Sequence, residues 1–154
     1  MNKGDKAVDF TLLNSDGKEV TLSDEVKQGN VLLLFFPLAF SSVCTEELCT
    51  ARNNMKLYNS LDTNVIAVSV DSFFTLKEFK KSNNLNFTLL SDFNKEISAE
   101  YNSLYEDFFG MKGVSKRSAF VINGNMITTY SEILDDSDQV PNFKAIHTVL
   151  KETK

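Results

Sequence analysis

A continuous apolar run that ends at a proline is the feature that most constrains how this chain can fold. Residues 31–36 are all apolar, which indicates a strand buried on both faces. Pro37 ends that strand, because proline has no N–H to donate to a sheet. A helix is predicted to follow, capped by Ser41 or Ser42. The apolar residues beyond the cap recur at helical spacing: Leu48, Ala51, Met55, Tyr58 and Leu61.

Cys44 falls in the first turn of this predicted helix, just beyond the C-terminal end of the strand. Unpaired backbone amides and the positive end of the helix dipole point toward such a position, and both favour a thiolate over a thiol. Cys44 is therefore a candidate nucleophile, with a pKa expected to lie below its ordinary value. The alternative is an inert buried cysteine, a common state of free cysteine.

The other segments predict an α/β fold. The predicted strands and helices are a hairpin over residues 8–22 around Asp16-Gly17, a strand at 65–70, a helix at 72–84, a strand at 87–90, a helix capped by Ser91-Asp92, a hairpin around Asn123-Gly124 and a last helix after Pro141. This order predicts one domain over residues 1–154 with a thioredoxin-like fold. That fold has a mixed central sheet, flanking helices and here an added N-terminal β-hairpin.

Three segments are expected to have other roles. The helix after Ser91-Asp92 is predicted to carry Ile97, Tyr101 and Leu104 on one side. Residues 102–116 are predicted to form a long loop. Residues 135–138, with three aspartates, are predicted to form a solvated acidic loop.

Composition excludes several functions. A net charge of −5 argues against a nucleic-acid partner, since phosphate binding needs clustered positive charge. No run of about 18 apolar residues predicts a membrane span. The first residues lack the apolar segment of a signal peptide, which favours a cytoplasmic location and reactive rather than structural cysteines. Two cysteines and one histidine do not supply a metal site, and no cofactor motif is present.

The spacing Pro37-x-x-x-Ser41-x-x-Cys44 resembles the motif of the peroxiredoxins. Residues 5–10, 90–92 and 115–122 also resemble stretches of that family, so the similarity extends over nearly the whole chain. Residues 36–40 are similar to the alkyl hydroperoxide reductase E branch. Cys49, five positions after Cys44, is instead similar to the Q branch, the bacterioferritin comigratory proteins.

The resemblance implies a thiol peroxidase that reduces hydrogen peroxide or organic hydroperoxides through a sulfenic acid at Cys44. Ser41 and Arg117 would hold the peroxide and stabilise the departing oxygen. Pro37 would shield the thiolate from water, and Glu47 would orient Arg117. Thioredoxin or a similar dithiol protein would be the reductant, with the enzyme a monomer or a homodimer.

Cys49 is predicted to resolve the sulfenic acid as an intramolecular disulfide, although helical geometry opposes this. Residues five apart in a helix have Cα atoms roughly 8.7 Å apart, whereas a disulfide tolerates about 7 Å. The first turns of the helix would therefore have to unwind. Two alternatives remain open: a one-cysteine enzyme reduced by an external thiol, and a redox sensor without turnover. Arg52 is interpreted as a surface residue, His147 as a surface or helix-end residue, and Glu46 as a residue that complements the helix dipole.

Overall fold

The computed structural model describes residues 1–152 and is built on a seven-stranded mixed sheet. Its strands are Thr11–Asn14 (β1), Glu19–Thr21 (β2), Asn30–Phe35 (β3), Thr63–Ser69 (β4), Thr88–Ser91 (β5), Ser118–Ile122 (β8) and Thr128–Ile133 (β9). Their order across the sheet is β2-β1-β5-β4-β3-β8-β9. Two further short strands, Leu104–Tyr105 (β6) and Val114–Ser115 (β7), form a separate antiparallel pair.

The predicted central strand lies inside the sheet. β3 pairs in parallel with β4 and antiparallel with β8, and five of its six residues are buried. β4 continues in parallel to β5, while the predicted N-terminal hairpin of β1 and β2 joins the far edge of β5 antiparallel. The prediction of a mixed sheet is therefore confirmed. The apolar run is continuous because both faces of β3 are covered.

Helices cover both faces of the sheet. They are Leu22–Glu25 (α1), Ser42–Asn53 (α2), Met55–Ser60 (α3), Phe73–Ser82 (α4), Glu96–Glu100 (α5) and Phe143–Glu152 (α6). One apolar core contains residues of α2, α3, α4 and α6, and a second contains residues of α1 and α5. Within residues 1–152, no helix is long and apolar enough to cross a membrane.

The structure corrects four local predictions. The helix expected to run from residue 42 past Tyr58 breaks at Asn54. α5 ends at Glu100, so Leu104 belongs to β6 instead. The loop expected over residues 102–116 contains the β6–β7 pair. The second hairpin turns through residues 123–127 with Met126 at φ 62°, not as a tight turn on Asn123-Gly124.

Candidate active site

Cys44 lies just after the loop that connects β3 to α2. The strand ends at Phe35, and α2 begins at Ser42, so Cys44 is the third residue of the helix. Its side chain has no exposed surface. The free amides of the first helical turn and the C-terminal edge of the parallel strands meet at this point, which is where sites form in open α/β sheets.

The loop between β3 and α2 is held from the neighbouring strand. Pro37 is buried at its start, and the Ala39 N–H donates to Asp71 Oδ2 at 2.7 Å, just beyond β4. Phe40 adopts φ 69°, a left-handed conformation that costs a bulky residue about 1–2 kcal/mol. Its ring packs on Phe79 with centroids 5.1 Å apart. These contacts offset the strain and set the direction in which α2 starts.

Ser41 occupies the residue before α2, as predicted, but its hydroxyl does not cap the helix. Ser41 Oγ instead donates to the Leu38 carbonyl at 2.9 Å. This hydrogen bond turns the Ser41 hydroxyl back toward the loop between β3 and α2. It is also among the groups that act to lower the pKa of Cys44.

Arg117 connects the parts of the site, because its guanidinium donates in three directions. Nη2 lies 3.3 Å from Cys44 Sγ, Nη1 lies 2.7 Å from Glu47 Oε1, and Nε lies 3.1 Å from the Ser137 carbonyl oxygen. The side chain is only 1% exposed. Such a planar fork with fixed partners holds its charge in one place, which a lysine cannot do.

Burial raises the pKa of Cys44 above its ordinary value. The charge of Arg117, then hydrogen bonding from Ser41 and from the Leu38 backbone, act in the opposite direction, whereas the Glu47 carboxylate adds to the increase. The predicted depression of the pKa is therefore wrong for the closed site. The sulfur loses its hydration when fully buried, and the carboxylate that shares its arginine disfavours a second negative charge; neither effect follows from the helix position alone.

Glu47 lies one helical turn after Cys44, fully buried against Arg117. Burial is the largest influence on this carboxyl group and raises the pKa of Glu47 to about 7, despite the opposing charge of Arg117. Its Oε2 atom has no hydrogen-bond partner among residues 1–152. Arg117 thus lies between the Glu47 carboxyl group and the Cys44 thiol, and burial raises the pKa of both groups.

Substituting Glu47→Gln should remove a pH dependence of folding stability. The folded chain binds a proton at Glu47 more readily than the unfolded chain does, so this residue favours the folded state at low pH. That contribution is lost as pH rises from about 4.5 through about 7. Over that range, the free energy of unfolding of the wild type should fall relative to Glu47→Gln by up to ~3 kcal/mol. Urea denaturation of both proteins across this range measures the difference; parallel pH profiles would contradict the prediction.

Cys49 faces another part of the structure. It is half-buried on α2, and both cysteines are free thiols. Its Sγ lies 3.9 Å from Asn83 Oδ1, at the end of α4. The structure therefore brings Cys44, Glu47 and Arg117 together and leaves Cys49 on a different side of an intact helix.

Two contacts at the site involve residues that the sequence did not single out. Asp71 holds the loop through Ala39, and Ser137 holds Arg117 through its backbone carbonyl. Ser137 lies in the acidic segment predicted to be only solvated, so that prediction is incomplete. Asp71 follows a strong strand signal, which could have marked it as a residue at the functional edge of the sheet. A backbone carbonyl carries no residue-type signal at all.

Two other predictions concern residues outside the site. His147 is half-buried, and its Nε2 lies 2.9 Å from the hydroxyl of the buried Tyr58. Arg52 is also half-buried. Neither side chain is simply a surface group, as the sequence suggested. Within residues 1–152, no cluster of three or more candidate ligands could hold a metal ion.

Comparisons with known proteins agree on one family. Residues 3–131 match the AhpC/TSA family. The chain is 36% identical over 140 residues to a chloroplastic 2-cysteine peroxiredoxin of Chattonella marina var. antiqua, covering 84% of this chain and 69% of that protein. It is 33% identical over 135 residues to alkyl hydroperoxide reductase E of Mycobacterium tuberculosis, with 86% of each covered. It is 33% identical over 130 residues to chloroplastic peroxiredoxin Q of Oryza sativa subsp. japonica, covering 84% of this chain but only 58% of the rice protein.

A solved structure gives the same fold. The crystal structure of peroxidoxin BcpB from Mycobacterium tuberculosis superposes with a TM-score of 0.90, covering 100% of this chain and 99% of that one at 24% sequence identity. At that identity the match speaks for the fold alone. It confirms the predicted thioredoxin-like arrangement of sheet and helices.

Proposed function

Since this chain belongs to the AhpC/TSA family and is a thiol peroxidase of the peroxiredoxin type, we propose that Cys44 is the sulfur that attacks the peroxide. The observation that carries this proposal is the contact of 3.3 Å between Arg117 Nη2 and Cys44 Sγ. Among residues 1–152, the hydrogen bond of the Cys49 sulfur is instead to the neutral side chain of Asn83. A thiolate forms and reacts most readily beside a positive charge, so the two sulfurs are chemically different.

The proposed reaction transfers one oxygen atom to sulfur. Cys44 attacks one peroxide oxygen, the O–O bond breaks, and the departing oxygen takes up the thiol proton and leaves as water or an alcohol. Cys44 is oxidised to a sulfenic acid while the peroxide is reduced. Arg117 stabilises the charge that develops on the departing oxygen, and Ser41 holds the peroxide in line with the sulfur. Pro37 excludes water from one side, and Glu47 holds Arg117 in position.

The raised pKa of Cys44 places a requirement on this step. The neutral thiol is a poor nucleophile, and the buried sulfur has no exposed surface. A peroxide therefore reaches the sulfur only when side chains of the loop before α2 move aside. The polar peroxide then restores part of the hydration that burial removed. Ionisation of Cys44 and binding of the peroxide are accordingly proposed to occur together.

Cys49 is proposed to complete the cycle. Its thiol attacks the Cys44 sulfenic acid, which forms the Cys44–Cys49 disulfide and releases water. Both residues lie in α2, where regular helical geometry keeps their Cα atoms roughly 8.7 Å apart, beyond the limit of about 7 Å for a disulfide. Part of α2 must therefore unwind before the bond can form. Opening near a helix end is among the least costly local changes in a protein.

The proposed partner is a dithiol protein of the thioredoxin kind, which returns the disulfide to two thiols by exchange. Hydrogen peroxide and organic hydroperoxides are the proposed substrates. A cycle that needs continuous reduction suits a reducing compartment such as the cytoplasm.

Substituting Cys49→Ser tests this cycle. The variant should still reduce one equivalent of peroxide but lose roughly tenfold or more of the turnover supported by thioredoxin, because no disulfide forms for thioredoxin to attack. Peroxide consumption with thioredoxin supplied, measured on both proteins, gives the ratio. Wild-type protein treated with one equivalent of peroxide should leave neither of its two thiols open to alkylation.

The other outcomes identify the alternatives. Full turnover of Cys49→Ser with small thiols or thioredoxin would indicate a one-cysteine enzyme. Rapid oxidation of Cys44 in the wild type without sustained peroxide consumption would indicate a redox sensor.

A further inference from the structure

We infer that Arg52 and Asn83 form a latch that holds α2 wound and so limits how fast Cys49 reaches Cys44. This inference rests on the proposed role of Cys49 in resolving the sulfenic acid. Arg52 lies one turn after Cys49, in the last turn of α2, and its Nη1 donates to the Asn83 carbonyl oxygen at 2.7 Å. Asn83 is the C-cap residue that directly follows α4. The contact therefore ties the end of one helix to the end of another.

The same asparagine also contacts the thiol of Cys49. Asn83 Nδ2 donates to the Phe79 carbonyl oxygen at 3.2 Å, which fixes the orientation of the side-chain amide. Its Oδ1 consequently faces Cys49 Sγ at 3.9 Å. Asn83 thus accepts a hydrogen bond from Arg52 at its main-chain oxygen and contacts Cys49 through its side-chain oxygen. Both contacts keep the Cys49 sulfur against α4, away from Cys44.

The chemistry of the latch favours an arginine. Carbonyl groups at a helix C-terminus are unpaired and lie at the negative end of the helix dipole, so a guanidinium there is stabilised. Arg52 Nε donates in addition to Asn53 Oδ1 at 3.1 Å, which holds the guanidinium in line with Asn83. Of the 16 basic residues in the chain, only Arg52 and Arg117 are arginines. Both use several donors with fixed geometry, which lysine supplies poorly.

The latch would influence the fate of the sulfenic acid. With α2 wound, a second peroxide can oxidise the Cys44 sulfenic acid to a sulfinic acid, and that peroxide is reduced to water or an alcohol. With α2 unwound, Cys49 attacks the sulfenic acid and water leaves. The ratio of disulfide to sulfinic acid therefore depends on how often α2 opens. Arg52 acts through the helix and not on the peroxide, so it is a positioning residue.

The test compares Arg52→Met, which keeps the bulk of the side chain but removes its donors, with Arg52→Lys, which keeps one charged donor. Stopped-flow mixing with hydrogen peroxide gives the rates of Cys44 oxidation and of disulfide formation. Mass analysis after increasing doses of peroxide gives the fraction of sulfinic acid. Asn83→Ala, which leaves the carbonyl for Arg52 but removes the contact with Cys49, separates the two halves of the latch.

Arg52→Met should form the disulfide about five- to tenfold faster than the wild type, the effect of losing one hydrogen bond of ordinary net strength. The dose of peroxide that converts half of Cys44 to sulfinic acid should rise by a similar factor. The rate of the first oxidation should stay the same within about twofold, since Arg52 has no contact with the peroxide site. Arg52→Lys should lie between the two, and Asn83→Ala should also speed up disulfide formation.

Each other result has a definite meaning. Equal or slower disulfide formation in Arg52→Met, with a normal first oxidation, would overturn the latch while leaving the proposed function intact. A wild type that forms no intramolecular disulfide would overturn the role of Cys49 and the latch with it. A variant that merely unfolds more easily, with unchanged rates and unchanged sulfinic acid, would assign Arg52 to stability alone.

Discussion

Replacing Cys44 by serine is expected to lower the rate of peroxide reduction by at least about 10³-fold, as the loss of an enzyme's nucleophile does. The serine hydroxyl ionises far less readily than a thiol, and a peroxide does not oxidise it. The buried serine can still accept a hydrogen bond from Arg117 Nη2, which lies 3.3 Å from the sulfur in the wild type. The variant should therefore remain folded, and the loss can be read as a loss of chemistry.

Cys49→Ser is the matched control, because it removes the other thiol of the same helix. Peroxide loss measured without a reductant should show one equivalent consumed by Cys49→Ser and none by Cys44→Ser. Reduction of peroxide by Cys44→Ser at the wild-type rate would place the reactive sulfur at Cys49 and contradict the proposed mechanism.

Replacing Arg117 by lysine is expected to slow the oxidation of Cys44 by about 10² to 10³-fold, the usual effect of removing one group that stabilises developing charge. One ammonium group cannot serve Cys44, Glu47 and Ser137 together, as the three nitrogens of Arg117 do. The charge of Arg117 acts to lower the pKa of Cys44, so the ammonium of the shorter lysine, farther from the sulfur, should leave that pKa higher than in the wild type. Stopped-flow oxidation as a function of pH would show both effects.

The effect of Arg117 on folding stability must be separated from its effect on the reaction with peroxide. Arg117→Met leaves the buried Glu47 carboxyl without its partner and should cost about 3–5 kcal/mol of unfolding free energy. A double variant, Arg117→Met with Glu47→Leu, replaces both members of the buried pair and should recover most of that loss. It should nevertheless remain as inactive as the single variant. A double variant that regained peroxidase activity would show that Arg117 acts only through the stability of the site.

The order of strands and helices could be predicted because each central element carries a strong local pattern. The run before Pro37 is apolar throughout, and the one at residues 65–70 is apolar except for Ser69, since β3 and β4 are covered on both faces. The β6–β7 pair was missed because strands of two residues are too short to show alternation. The break at Asn54 was missed because the apolar spacing continues across it into α3.

At the site, the identities of the residues could be predicted but not their electrostatics. The spacing from Pro37 to Cys44 indicated the nucleophile, and the resemblance to the peroxiredoxins indicated Arg117. The pKa of Cys44 could not be read in the same way, because it depends on how completely the surrounding chain removes water from the sulfur. That property belongs to the packed tertiary structure and is not encoded in the first turn of a helix.

The hydrogen bond from Arg117 Nε to the Ser137 carbonyl oxygen affects how this protein tolerates change. Because the acceptor belongs to the main chain, replacing the serine or the neighbouring aspartates one by one leaves the contact in place. Adding or deleting a residue between β9 and α6 would instead displace the carbonyl and turn the guanidinium away from the sulfur. Evolution and protein engineering are thus free to vary the chemistry of this segment but constrained in its length.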